Sequence, residues 1–185
     1  MEILKHRVNS FDRINNKFGI EIDIRDYNGD IVISHDPPHL HTIKLEEFLK
    51  KINKNRLIAI NIKSMEIEER LKEIINEFEL KNYFTFDWSI PSLIKAQKKN
   101  IVCAFRLSEY EKEFFPNCTW VWVDSFEEIW YDKKILSELK DKGFKIALVS
   151  PELHGRKQDF EKFEDIVHLG IADAICTNNP EYWYK

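Results

Sequence analysis

The chain has 185 residues, 43% of them hydrophobic, which is enough for one domain with a sizeable core. Its 28 Lys+Arg against 32 Asp+Glu leave a net charge of -4, so charge gives no case for nucleic acid or an anionic membrane as partner. Residues 1–10 carry no hydrophobic signal segment, no apolar run reaches membrane-spanning length, and Cys103, Cys118 and Cys176 have no metal-type spacing. Together these features point to a soluble, cytoplasmic protein with buried free thiols.

In chain order, short β-rich runs alternate with charged runs of helical period. Residues 3–6 form the first β-rich run and residues 19–25 (GIEIDIR) the second. Asn28-Gly29 is a tight-turn pair, so residues 31–34 fold back as a hairpin extension of the second strand. A helix is predicted over 44–53, a strand over 57–63, a helix over 65–79 and a strand over 84–88. A helix over 91–99 leads to a strand over 101–107 and, after a short connection, to a strand over 120–124. A helix over 132–142, a strand over 144–150, a helix over 157–169 and a strand over 174–177 complete the chain. Alternating strands and helices predict a parallel sheet, and eight such strands predict a closed barrel. The fold class expected is a compact (β/α)8 TIM-type barrel, one domain over residues 1–185. The connections after strands one and five are too short for full helices.

Side chains on a strand alternate in direction. Ile20, Ile22 and Ile24 would pack beneath helices, and Glu21 and Asp23 would point into the barrel. By the same test Asn61 and Lys63 face inward against Ile58, Ile60 and Ile62. Asp87 does so against Phe84, Phe86 and Trp88, Arg106 against Cys103 and Phe105, and Trp122 and Asp124 against Val121 and Val123. The carboxyl ends of barrel strands therefore gather charge, which an ordinary packed core would not tolerate. The hairpin delivers His35 across the same mouth.

His6-Arg7 after the first strand, Glu21-x-Asp23 in the second and His35-Asp36 after the hairpin resemble the glycerophosphodiester phosphodiesterases, a family within the phospholipase-C-like phosphodiesterase barrels. Asn61-Ile62-Lys63 and the terminal Ile175-Cys176-Thr177-Asn178-Asn179-Pro180 extend the resemblance more weakly. It implies a phosphoric diester hydrolase acting on a small glycerol- or sugar-linked phosphodiester. His6 and His35 would be the acid/base pair, and Glu21, Asp23 and Asn61 would hold Mg²⁺ or Ca²⁺. Arg7 and Lys63 would hold phosphate oxygens. By their inward phase Arg106 and Trp122 are further candidates to bind the phosphate and its substituent, and filling of the barrel is the alternative for Trp122.

The chain departs from the family at three places. Asn61 stands where a glutamate usually completes the metal site, Val8 follows the His-Arg pair in place of glycine, and Val8 to Asp12 replace the usual Pro-Glu-Asn-Thr stretch. A barrel that binds a phosphorylated ligand with little turnover, and a lyase that forms a cyclic phosphate, are the alternatives to hydrolysis. His35, His39 and His41 offer a different metal set, suited to zinc if a third ligand comes close. Arg106 has Glu109 as a possible ion-pair partner, and the polar stretch from Ser150 to Arg156 follows the seventh strand.

Overall fold

The computed structural model describes residues 1–184. Its elements in order are β1 (Glu2–Lys5), β2 (Gly19–Tyr27), β3 (Asp30–Ile33), α1 (Leu45–Leu49), β4 (Ile58–Ile62), α2 (Glu68–Glu77), β5 (Tyr83–Phe86) and α3 (Ile90–Lys98). There follow β6 (Ala104–Leu107), β7 (Trp120–Val123), α4 (Lys133–Asp141), β8 (Lys145–Val149), α5 (Phe160–His168), β9 (Ala174–Thr177) and α6 (Pro180–Trp183). Eight strands run parallel in the order β5-β4-β2-β1-β9-β8-β7-β6. Between β5 and β6 there is only a bridge, Thr85 to Cys103, with the Thr85 N–H donating to Val102 O at 2.9 Å. The result is a nearly closed (β/α)8 barrel.

The expected short connections are present. A 3-10 turn, Phe11–Arg13, is the only helical element between β1 and β2, and none lies between β6 and β7. β3 pairs antiparallel with the end of β2, outside the barrel cycle. Its turn has positive φ at both Asn28 (52°) and Gly29 (84°), a geometry matched to strand twist that Asn-Gly adopts at little cost. Gly19 has a different reason. A Cβ there would lie 2.7 Å from Leu57 O, so β2 enters between β1 and β4 as bare backbone. α1 stops sooner than its periodicity predicts, and the helix over 157–169 divides into a 3-10 turn, Lys157–Asp159, and α5. α6 was not expected.

The two faces of the sheet make two separate hydrophobic clusters. Ile20, Ile22, Ile24, Ile58, Ile60, Ile62, Phe105, Val121 and Val123 pack outward with the helices. Leu4, Ala59, Phe84, Phe86, Ala104, Trp120, Trp122 and Ala147 fill the barrel. The phase assigned to β5 is thus corrected: Phe84 and Phe86 point inward. Phe86 stacks on Trp122 with centroids 4.0 Å apart, and Phe84 on Trp120 at 4.6 Å. The interior tolerates four large rings because Ala59, Ala104, Ala147 and Ala174 leave room for them. Asp87 reaches the mouth by another route, a left-handed turn (φ 64°) just after β5 ends.

Candidate active site

Glu21 and Asp23 lie on the inward phase of β2, 2% and 1% exposed. Burying two carboxylates side by side requires donors aimed at them. Arg7 supplies the first through its backbone. Its φ of 53° turns the Arg7 N–H onto Glu21 Oε2 at 2.6 Å. Left-handed backbone in a side-chain-bearing residue costs about 1–2 kcal/mol, and such strain concentrates at functional positions. His6 Nε2 lies 3.9 Å from the same Glu21 oxygen.

The other ring nitrogen, His6 Nδ1, meets Asn178 Oδ1 at 3.0 Å just past β9. With the amide oxygen toward the ring, Nδ1 carries the proton and Nε2 keeps its lone pair toward the mouth. Glu152, in the 3-10 turn Pro151–His154, accepts from the Asn178 N–H at 3.1 Å and from Thr177 Oγ1. A line of contacts thus runs His6–Asn178–Glu152. Burial, opposed by the Asn178 hydrogen bond, holds the imidazole below its usual pKa, so it is neutral at neutral pH.

Asp23 is surrounded by donors. Asn9 Nδ2 donates to its Oδ2 at 2.7 Å, while the Asp23 N–H donates to Asn9 Oδ1 at 3.0 Å. Arg7 Nε stands 3.7 Å from Oδ2 and Lys63 Nζ 3.5 Å from Oδ1. His35 takes a different partner, Asp36, at 2.9 Å through Nδ1. Its backbone is anchored by Arg25, whose Nε and Nη2 donate to His35 O at 3.1 and 2.9 Å and whose Nη1 donates to Lys63 O at 3.2 Å. His35 and Asn9 line one cavity of 460 Å³ with His39 and His41. Asn9 thus joins Asp23, to which it is hydrogen-bonded, to the cavity that His35 lines.

Asn61 pairs in register with Asp23 and faces inward, 8% exposed. Its Oδ1 is buried without a hydrogen-bond partner. An orphaned carbonyl oxygen beside two buried carboxylates is a donor set that fits a hard divalent cation. Among the described residues no group of three or more His, Cys, Asp or Glu is placed to hold a metal ion. The zinc alternative is accordingly not formed. The His39 and His41 rings are 6.4 Å apart, the His41 N–H donates to His39 Nδ1 at 3.3 Å, and the His35 ring is turned to Asp36.

The opposite half of the mouth is a ladder of paired charges, Asp87–Arg106–Asp124–His154. Arg106 binds Asp87 through Nε (3.1 Å) and Nη2, and Asp124 through Nη1; His154 Nε2 meets Asp124 Oδ1 at 2.7 Å. Glu109 is not the partner of Arg106. It accepts the N–H groups of Phe126, Glu127 and Glu128 at 3.0–3.1 Å. Trp122 is 4% exposed, with its ring in the Phe86 stack inside the barrel. The stretch after β8 is internally committed too, since Arg156 donates to Ser125 O and Oγ and to Asp159. All three cysteines are buried and unpaired.

Sequence reasoning does not single out Asn9, Arg25 or Glu152, and gives Asn178 no role. Asn178 lies within the terminal Thr-Asn-Asn-Pro stretch that carries part of the resemblance. Asn9 lies in the stretch that departs from the family and Glu152 in the polar stretch after the seventh strand, but the partners of all three are not legible, because none is a neighbour in sequence.

Burial first, and then the neighbouring Asp23 charge, pushes the Glu21 carboxyl up to about 8. A pKa raised on folding gives stability that is complete below the unfolded value and lost as pH rises through about 8. His6 has the opposite sign: its pKa is depressed, so its contribution is lost as pH falls below the histidine range. In EDTA, Tm is therefore expected to fall from about pH 6.5, where the His6 contribution is complete, to about pH 8 and to level off above it, at about 2–4 °C per kcal/mol for a domain of this size. Glu21→Gln should flatten that slope. A slope equally steep in the variant would assign the effect elsewhere.

No protein-family model and no curated protein sequence matches this chain. Solved structures do match it, and they define the class: the chain has the fold of the glycerophosphodiester phosphodiesterases. A glycerophosphodiester phosphodiesterase from Thermotoga maritima superposes with a TM-score of 0.73 at 18% identity, over 98% of this chain and 96% of that one. A phosphodiesterase from Oleispira antarctica, in complex with the product sn-glycerol-3-phosphate, gives 0.68 at 14% identity, over 98% and 94%. A glycerophosphoryl diester phosphodiesterase from Parabacteroides distasonis gives 0.65 at 15% identity, over 97% and 83%. No helix among the described residues is long and apolar enough to cross a membrane.

Proposed function

We propose that the protein is a metal-dependent phosphodiesterase that hydrolyses a small glycerol- or sugar-linked phosphodiester, with His6 and His35 as its acid/base pair. The observation that carries this reading is the setting of His6. Its Nδ1 is held by Asn178 and its Nε2 is directed at the buried Glu21 carboxylate in the barrel mouth. A neutral imidazole with a free, oriented Nε2 can take the proton of an attacking water. His35, on the hairpin, returns a proton to the leaving alkoxide, with its ring oriented by the Nδ1 contact to Asp36. Arg7 and Lys63 flank Asp23 and supply positive charge for phosphate oxygens.

Glu21, Asp23 and Asn61 would hold Mg²⁺ or Ca²⁺, which would neutralise a phosphoryl oxygen and polarise phosphorus. The product-bound fold neighbour supports a small-molecule ligand for this barrel mouth. The test is release of alcohol from glycerophosphodiesters with and without EDTA. Phosphorus NMR of the products separates hydrolysis from cyclic-phosphate formation. Alcohol release that EDTA leaves untouched would remove the metal from this account.

One observation favours a second reading, a barrel that binds its phosphorylated ligand with little turnover. Asn61 supplies a dipole at a position next to Asp23, and Asp23 is already engaged by Asn9, Arg7 and Lys63. A carboxylate there would add one negative charge to the set. Asn61→Glu is therefore expected to tighten Mg²⁺ binding roughly 10–100-fold and to raise activity with it. A protein inert on every diester before and after this change would be a binding barrel.

A further inference from the structure

The Glu152 carboxylate has no cationic partner among the described residues; its hydrogen bonds go to the ends of two barrel strands. Ser150 Oγ, just past β8, donates to Oε2, while Thr177 Oγ1 and the Asn178 N–H (3.1 Å), at the end of β9, donate to Oε1. The turn that carries Glu152 is itself fixed. Ser150 is fully buried, its N–H donates to Cys176 O at 3.0 Å, and the Leu153 N–H donates to Ser150 O at 3.0 Å. Gly155 closes the turn at φ 75°, with its N–H on Glu152 O at 3.1 Å. Asn178, by contrast, is exposed, and His6 is the one hydrogen-bond partner of its side chain among the described residues. Where its amide sits therefore depends on the backbone beneath it.

We propose that Glu152 is a positioning residue for His6: it fixes the turn after β9, and so holds the Asn178 amide oxygen against His6 Nδ1 and the Nε2 lone pair toward the mouth. The inference rests on the phosphodiesterase reading above, in which His6 Nε2 takes the proton. Glu152 lies outside the stretches that carry the family resemblance and does not touch His6. The arrangement has the logic of a base oriented by a third group, relayed here through an amide. An imidazole without such a partner favours the Nε2–H form, in which Nε2 has no lone pair left to accept a proton. The role needs an acceptor rather than a charge. Thr177 Oγ1 and the Asn178 N–H both donate to Oε1, and the Ser150 hydroxyl at Oε2 can accept as readily as donate. Glutamine at 152 therefore keeps all three bonds, and alanine keeps none.

The variants are Glu152→Gln, Glu152→Ala, Asn178→Ala and the double alanine variant. The first measurement needs no substrate. Ring-nitrogen NMR of the metal-free protein at about pH 8, where histidine is neutral, reports which His6 nitrogen carries the proton, the signal being assigned by its loss in His6→Ala. Wild type and Glu152→Gln are expected in the Nδ1–H form, and Glu152→Ala and Asn178→Ala shifted toward Nε2–H. The second measurement is turnover of glycerophosphocholine. Each alanine variant should lose about 10-fold in kcat at unchanged KM, the scale of one hydrogen bond, and Glu152→Gln should recover it. The double variant should be no worse than either single one, because both break the same line. An Nε2–H form in the wild type, a tautomer unmoved by Glu152→Ala, a glutamine variant as impaired as the alanine one, or losses that multiply in the double variant would overturn the assignment. Asn178→Ala, at an exposed position, keeps the test open if Glu152→Ala does not fold. Wild-type protein inert on the diester would overturn the hydrolase reading, and the tautomer would still decide the role of Glu152.

Discussion

Replacing His6 or His35 by alanine is expected to lower kcat/KM on a glycerophosphodiester by about 10²–10⁴-fold, the usual loss when a general acid or base is removed. The two variants should differ in pH dependence. His6 is buried, hydrogen-bonded to Asn178 and held below its usual pKa, so it supplies the limb that rises as the imidazole loses its proton. His6→Ala should remove the acidic limb of the kcat/KM profile. His35→Ala should leave that acidic limb in place. Both substitutions leave the barrel interior intact, so Tm should hold within a few degrees. Activity untouched by His35→Ala would remove that residue from the chemistry.

The second large effect concerns the barrel interior. Trp122→Ala is expected to destabilise the protein by about 3–5 kcal/mol, the range for deleting a large buried ring, and to lower Tm by about 10 °C. Trp122 packs face to face on Phe86 at 4.0 Å, and Phe86 also contacts Phe84, which stacks on Trp120. Removing Trp122 takes away the ring stacked on Phe86, and the alanines around it are too small to fill the space. Trp122→Phe should recover most of the stability. A variant of unchanged Tm but raised KM would instead make Trp122 a platform for the substrate.

The inward phase of β2 was legible because Glu21 and Asp23 alternate with three isoleucines, and charge against branched aliphatics leaves one choice of face. The same test failed on β5. There Tyr83, Phe84, Thr85 and Phe86 offer no charge to mark a face, and Asp87, used as the marker, already lies beyond the strand in a left-handed turn. Its direction is set by the backbone turn and by Arg106, neither of which a two-residue period can register.

The sequence by itself determined the order of strands and helices, the hairpin at Asn28-Gly29 and the carboxylate pair, since these follow from local propensity and side-chain alternation. Only the tertiary structure decided the partners. Asn9 on Asp23, Arg25 on His35 O and Lys63 O, Glu152 on Asn178 and Asn178 on His6 join residues 10 to 172 positions apart. The structure also decided that Arg106 is held between two aspartates and that the Asn61 carbonyl has no donor. The physical reason is that barrel closure brings β1 beside β9 and β5 near β6. Which buried polar groups then find partners, and which are left without one, depends on distances that closure alone creates.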